Sequence, residues 1–292
     1  MRLPTIGKLF DGFNVLLLVM ISILTIYPFW YIFIISITDS SAVSTSNIFL
    51  LPGPITFDSY KTVFINPDLL SGYKISLSRV VLGVLLTFIN CSMMAFVVSR
   101  KHFIAKKAVN LILVTSMFIS AGIIPFFIIV RLFGLTNTFW ALIIPFAMDP
   151  FGVILIRNYF MGIPESLDES ARIAGAGDFQ IFTKIYLPIS VPIIATMCLF
   201  WAVWFWNDFI YGTYLVTKRE LQPIQAIILS VVNNTSNSRA VSLLASRGVK
   251  MRANGESVKM AAIFLSTVPI LIVYPFVQKY FVHGITMGAV KE

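Results

Sequence analysis

The run from Phe13 to Ile37 contains no charged side chain and is longer than the roughly 20 residues a helix needs to cross a bilayer. That feature constrains the fold more than any other. Inside lipid a backbone must satisfy its own hydrogen bonds, so only helices and closed barrels can span. The apolar residues run continuously rather than alternating, which excludes barrel strands. Five further predominantly apolar runs, each with one or two charged residues, reach the same length, over about 75–99, 108–133, 139–159, 190–215 and 260–281. The expected fold class is therefore an all-α membrane protein with six transmembrane helices.

Composition agrees. The chain is 58% hydrophobic and 12% charged, against about 25% charged residues in a soluble domain. The first run exceeds the roughly 7–15 apolar residues of a secretion signal and reads as a retained span. Pro28, Pro125, Pro145, Pro150, Pro269 and Pro275 fall inside apolar runs. Neighbouring helices can re-satisfy the carbonyls that a proline frees. Cys91 and Cys198 lie in apolar runs, and His102 and His283 have no ligand-type residues beside them. No metal site or disulfide is expected. The net charge of +9 is attributed to topology rather than to nucleic acid, because Lys and Arg gather at membrane ends.

Loop charge sets the orientation. The link from Arg100 to Lys107 holds four basic residues and no acid, so it is placed in the cytoplasm. The stretch from Thr38 to Tyr73 has Lys61 against Asp39, Asp58 and Asp68, and is placed outside. Six spans then put both termini in the cytoplasm, together with the segment 164–188. The loop from Thr217 to Lys259 conflicts with this, with seven basic residues and two acids on the outer side. Long loops obey the charge rule less strictly.

The segment 164–188 is the one long polar, helix-compatible stretch between two apolar ones. A short helix is expected from Pro164 to Ala174, a turn at Gly175-Ala176-Gly177, and a second helix from Asp178 to Tyr186. Pro164 suits a first helical position. Glu165, Asp168 and Glu169 sit where the helix dipole favours negative charge. Asp178 is a candidate N-cap, and Leu187-Pro188 is expected to end the helix. Phe179, Phe182, Ile185 and Tyr186 form one apolar face, which is expected to dock onto something.

The chain contains no G-x-x-x-x-G-K-[ST] loop, so it does not hold ATP in that way. Nor does it show a nucleophile–base set for covalent chemistry; it is not read as an enzyme. Glu169, Ser170, Ala171, Gly175, Ile185, Leu187 and Pro188 fit E-[AS]-A-x3-G-x9-I-x-L-P with every spacing intact. This resembles the cytoplasmic signature loop of ATP-binding-cassette (ABC) importer permeases, with Ser170 where that family usually has alanine. Ala95-Phe96-Val97-Val98-Ser99-Arg100, Trp206-Asn207-Asp208-Phe209 and the ending Gln278-Lys279-Tyr280-Phe281 through Gly288-Ala289-Val290-Lys291 are similar to motifs of maltose-type carbohydrate-uptake permeases. The ending and the short N-terminus resemble the smaller of two permease subunits, with oligosaccharides from complex polysaccharides as cargo. Ile75-Ser76-Leu77 departs from the family's usual Asn-Ser-Leu.

The resemblance implies the type I importer transmembrane fold in a bacterial cytoplasmic membrane. The implied partners are a second permease in a heterodimer, an ABC ATPase dimer and an extracytoplasmic solute-binding protein. No cofactor is bound by this chain; ATP is hydrolysed by the partner subunit. The loop 164–188 is implied to be the coupling helix seated in the ATPase, with Glu169 meeting a basic residue and Phe179 and Phe182 supplying contact area. The tail from Val282 to Glu292 is implied to reach towards the ATPase dimer interface.

Sugar contacts are expected in the fifth run, where Trp201, Trp204, Trp206, Asn207, Asp208 and Tyr211 cluster. Aromatic faces stack on sugar C–H faces, while amides and carboxylates bind hydroxyls; the same aromatics also suit an interfacial belt. Carboxylates within spans usually face a cavity or a partner. Asp149 is accordingly placed either on the pathway or against Arg79 or Arg131. The competing readings are a self-sufficient secondary transporter or channel, driven by an ion gradient, and a membrane enzyme.

Overall fold

The computed structural model describes residues 4–39, 43, 51, 53–119, 121–233 and 255–289. Among these the regular structure is helical, with one isolated bridge between Thr38 and Ile55. Residues 234–254 of the loop from Thr217 to Lys259 lie outside the described residues, as do the last three residues of the tail.

The chain divides into two units. The first joins Met1–Leu69 to Ile228–Pro269. Its α1 (Pro4–Ile37) runs unbroken through Pro28, and most of its large apolar side chains are exposed. A helix apolar on all sides belongs in lipid or among other spans. The end of α1 is held: Ser36 Oγ lies 2.7 Å from the Tyr60 hydroxyl of α2 (Asp58–Ile65), and Phe33 packs on Phe264 with ring centroids 5.0 Å apart.

The second unit joins Leu70–Ile227 to Ile270–Glu292. It carries most of α3 (Pro67–Ser99), then α4 (Lys106–Phe118), α5 (Ile123–Leu132) and α6 (Pro150–Met161). Next come α7 (Glu165–Ile173), α8 (Asp178–Ile181), a π-helical turn over Phe182–Tyr186, and α9 (Leu187–Ile189). The rest is α10 (Val191–Asn207), α11 (Ile210–Tyr214), the start of α12 (Ile224–Asn233) and the end of α13 (Gly255–Ala289).

Three described helices are long and apolar enough to cross a membrane, at Phe10–Ile37, Pro67–Ser99 and Glu256–Val273. Two bent pairs raise the number to five. The run 108–133 is not one helix. It breaks after Phe118, and Gly122, with φ of 78°, stands at the N-cap of α5 in a conformation no right-handed helix contains. The run 139–159 begins as two 3-10 turns, Phe139–Leu142 and Ile144–Phe146, and meets α6 at 45°. The run 190–215 is broken at Asp208-Phe209. Conversely, α3 starts eight residues earlier than expected, and α13 continues as helix through Pro269 and Pro275.

Close backbone approaches fix the second unit. A Cβ on Gly83 would sit 2.6 Å from the Phe205 ring, so α3 and α10 touch where only glycine fits. Ser76 Oγ accepts the Ile224 amide at 2.9 Å, capping the start of α12 from α3. The Asp149 carboxylate accepts the amides of Phe151 and Gly152 and so caps α6. Cys91, Ala95 and Phe96 of α3 pack with Val153, Ile156 and Phe160 of α6 and Met197, Trp201 and Phe205 of α10 in one core.

Candidate functional site: the polar loop and its clamp

The helix α7 ends as its sequence dictates. Gly175 has φ of 81°, its amide donates to the Arg172 carbonyl at 2.9 Å, and the Ala176 amide donates to the Ala171 carbonyl at 2.9 Å. This paired closure, with glycine just past the last helical residue, is a Schellman motif. Two details differ from the sequence expectation. Pro164 is the N-cap of α7 rather than its first residue, its ψ of 130° being extended. Gly177 takes the N-cap of α8, where the Gln180 side chain accepts its amide at 3.2 Å, and Asp178 turns instead to Arg172.

The second helix does not stop at Leu187-Pro188. It passes through the π-helical turn, closed by the Leu187 amide on the Phe182 carbonyl, and breaks at Ser190. There the direction changes by 82° into α10. The apolar face is split between inside and outside. Phe182 and Tyr186 are buried in this chain's own core, with Phe96 centroids 5.1 and 5.0 Å away and Phe160 5.3 Å from Tyr186. Phe179 is 70% exposed. Phe182 therefore braces the loop from within instead of offering itself to a partner, because the α3 and α6 aromatics already fill its surroundings.

What the sequence did not reveal is the clamp on α7. Arg100, the last residue of the motif ending α3, donates from Nη1 to Asp168 Oδ1 at 2.6 Å and to the Tyr186 hydroxyl at 3.2 Å. Its guanidinium carbon sits 4.1 Å from the Phe96 ring centroid and 4.8 Å from that of Tyr186. Cation–π contact of this kind is stronger when partly desolvated. Lys101 pairs with Glu165, and Arg172 bridges Asp168 and Asp178. The hydrogen bond to Glu165 holds the Lys101 ammonium above its ordinary range, and that to Asp168, with Asp178 adding to it, does the same for Arg172. The only hint was the opposite charge of two loops that the charge rule put on one side.

Between these loops lies a cleft of about 970 Å³, lined by Arg100, Lys101, Glu165, Asp168, Glu169 and Arg172 among others. Glu169 is exposed at its rim and makes no hydrogen bond or ion pair among the described residues. Ser170 donates only to the Leu167 carbonyl, at 3.1 Å. Ala171, Ile185 and Leu187 are half-buried against the core, while Pro188 is exposed. One carboxylate of this acidic helix thus has only the charge of Lys101 acting on it from a distance, while the other two are paired.

At the other end of the unit, the Asn137 side chain accepts the amides of Thr217 and Lys218 at 2.7 and 3.3 Å. Near it the residues expected to touch substrate separate into two groups. Trp204 is 41% exposed, Asn207 is exposed with its amide donating to Val203, and Tyr211 is half-buried. The Trp204 and Tyr211 rings both pack on Phe146, at 4.9 and 4.8 Å. Trp206 is buried beside Tyr73, 6.4 Å away, and Trp201 donates to Asp149 Oδ2 at 2.8 Å. Asp149 pairs with neither Arg79 nor Arg131, since its oxygens cap α6 and hold Trp201. Arg79 instead meets Asp208.

Comparison with known proteins places this geometry. A model described as a binding-protein-dependent transport system inner membrane component matches residues 69–287. Protein LplC of Bacillus subtilis (strain 168) is 35% identical over 98% of this chain and 96% of its own length. The polygalacturonan/rhamnogalacturonan transport system permease protein YtcP of the same organism is 33% identical over 98% and 99%. A solved bacterial ABC transporter involved in the import of the acidic polysaccharide alginate is 32% identical, with a TM-score of 0.89, over 96% of this chain and 99% of that one.

Proposed function

Because the chain belongs to the family of binding-protein-dependent transport system inner membrane components, it is a permease of an ABC importer and not an enzyme, and we propose that its cargo is an acidic oligosaccharide. Relatives named for polygalacturonan/rhamnogalacturonan and for the acidic polysaccharide alginate support that class. So does the basic stretch from Thr217 to Lys259, which suits anionic cargo or an acidic partner. Nothing supports a self-sufficient secondary transporter or channel.

The permease works with a second permease subunit, an ATPase dimer that uses the ATP, and an extracytoplasmic solute-binding protein, in a bacterial cytoplasmic membrane. Six spans cross it, with α4 and α5 as two halves of the third and both termini in the cytoplasm. Contact between Arg100 and Asp168 at one end, and between Asn137 and Thr217 at the other, agrees with that alternation of loops. Trp204, Asn207 and Tyr211 face the sugar.

The single observation that carries the coupling role is the unpaired Glu169 on an otherwise clamped helix. The loop 164–188 docks on the ATPase through Glu169, Ser170 and Phe179, with Gly175 making the turn. Phe182, Ile185 and Leu187 transmit the displacement into α10 through the core they share. A charged hydrogen bond formed at Glu169 on docking is stronger than a neutral one. The test is uptake of a labelled oligoalginate by cells expressing the whole transporter with this chain present or deleted. Uptake that survives deletion, or that proceeds without ATP, overturns the reading.

A further inference from the structure

Arg79 is an arginine fully enclosed in the middle of an apolar helix, and the coupling role does not use it. Its side chain is 0% exposed and that of Asp208 is 7% exposed. Nη2 donates to Asp208 Oδ2 at 2.6 Å, Nη1 to the Asp208 carbonyl at 3.3 Å, and Nε to the Leu142 carbonyl at 3.1 Å. The guanidinium carbon stands 5.8 Å from the Trp204 ring centroid and 5.5 Å from that of Phe205. The other Asp208 oxygen accepts the Tyr211 amide at 3.1 Å and so starts α11. One cation ties α3 and the 3-10 turn of Leu142 to the break between α10 and α11.

Stability does not explain such a pair. Burying two ions costs about as much as their attraction returns, and apolar replacements of similar volume are often as stable. The best-attested use of a buried ionic group is to fix one register among several. Within a span, charged residues cluster along transport pathways. What this pair holds in register is a short break flanked by three residues with the chemistry of a sugar site. Trp204 lies four residues before Asp208, Asn207 one before and Tyr211 three after. The Trp204 and Tyr211 rings are 6.4 Å apart on either side of the break.

We propose that Arg79 and Asp208 are positioning residues for substrate, fixing the broken helix so that Trp204, Asn207 and Tyr211 present one ring-and-amide surface to the passing sugar. This rests on the reading of the chain as an oligosaccharide permease. The pair does not touch sugar itself; its effect is on how faithfully each ATP-driven cycle carries cargo.

The experiment uses the whole transporter, with binding protein, in proteoliposomes, and compares Arg79→Gln, Asp208→Asn and the double variant. Labelled oligoalginate uptake and ATP hydrolysis are measured on the same vesicles. Each single variant leaves one buried charge unpaired and lowers the amount of assembled transporter. The double variant removes both charges and restores assembly. Its ATP hydrolysis per complex falls less than about twofold, while sugar moved per ATP falls about tenfold or more. A double variant with the unmodified sugar-to-ATP ratio overturns the proposal and leaves the pair a packing feature. Absence of ATP-driven oligoalginate uptake by the unmodified transporter overturns the proposed cargo and this inference with it. That result is told apart because it needs no substitution.

Discussion

Asp149 and Trp201, 52 residues apart, meet in a 2.8 Å hydrogen bond from the indole Nε1 to Oδ2, and the same oxygen accepts the Gly152 amide at 3.0 Å. One carboxylate thus starts α6 and anchors α10 to it. Trp201→Phe removes the donor together with the five-membered ring, so it should cost about 1–2 kcal/mol. Asp149→Ala removes a cap and leaves a buried indole N–H without a partner, so about 2–4 kcal/mol is expected. Thermal unfolding of the purified transporter measures both. Equal shifts for the two variants would contradict the double role of Asp149.

Two glycines should fail for different reasons. A Cβ on Gly152 would stand 2.6 Å from the Trp201 ring and 2.9 Å from Asp149 Oδ2, so Gly152→Ala meets atoms and should cost about 1–3 kcal/mol. Gly175 has open space around it, and there the penalty comes from its φ of 81° alone. Gly175→Ala should cost about 1–2 kcal/mol, and Gly175→Asn less, because asparagine tolerates the left-handed region. Unfolding midpoints of the three variants give the ranking. An asparagine variant no better than the alanine one would remove the backbone explanation.

Neighbouring acids on α7 should divide structure from coupling. Glu169→Lys alters an exposed, unpaired carboxylate, so its unfolding midpoint should stay near that of the unmodified protein. Binding-protein-stimulated ATP hydrolysis should nevertheless fall at least about tenfold, the loss of roughly one charge-assisted contact at an interface. Asp168→Asn weakens the clamp on Arg100 and Arg172. It should lower the midpoint by the equivalent of about 1–3 kcal/mol, since the side chains of Arg100 and Asp168 are 19% and 13% exposed. Normal ATPase stimulation in Glu169→Lys would sink the docking assignment.

Lys101 gives a pH prediction. Glu165 raises its pKa above the ordinary value of 10.5 in the folded loop. A raised folded pKa means the contribution is fully present below the unfolded value and is lost as pH rises through the folded one. The contact should therefore persist through neutral and mildly alkaline conditions and release only above the ordinary lysine range. NMR of lysine-labelled protein, assigned with Lys101→Gln, reads the midpoint. A midpoint at or below 10.5 contradicts the ion pair.

The parts of the fold legible in sequence were those set by local chemistry. The turn at Gly175 follows from a glycine just past a helical stretch, and the apolar runs mark where membrane helices belong. Breaks inside those runs were harder to read. Lipid solvates any apolar side chain, so hydropathy does not distinguish one helix from two short ones meeting at Gly122. Long-range pairing inside the spans left no trace. Arg79 and Asp208 are 129 residues apart, and Asp149 had three candidate roles until the α6 amides were seen to claim it. Phe182 was read as an outward face because periodicity counts neighbours along the chain. Phe96 and Phe160, which cover it, come from two other helices.

The π-helical turn over Phe182–Tyr186 carries one more residue than an α-helical path would. Each residue of a helix advances the winding by about 100°. In a regular helix one added residue would turn everything after it by that angle; the wide turn takes up the extra residue locally, so the helix beyond keeps its facing relative to α7. α7 and α10 are thus meshed like gears with one tooth added. The extra tooth is a setting that insertion or deletion changes, whereas substitution at Phe182 or Tyr186 disturbs instead the core that holds the mesh in place.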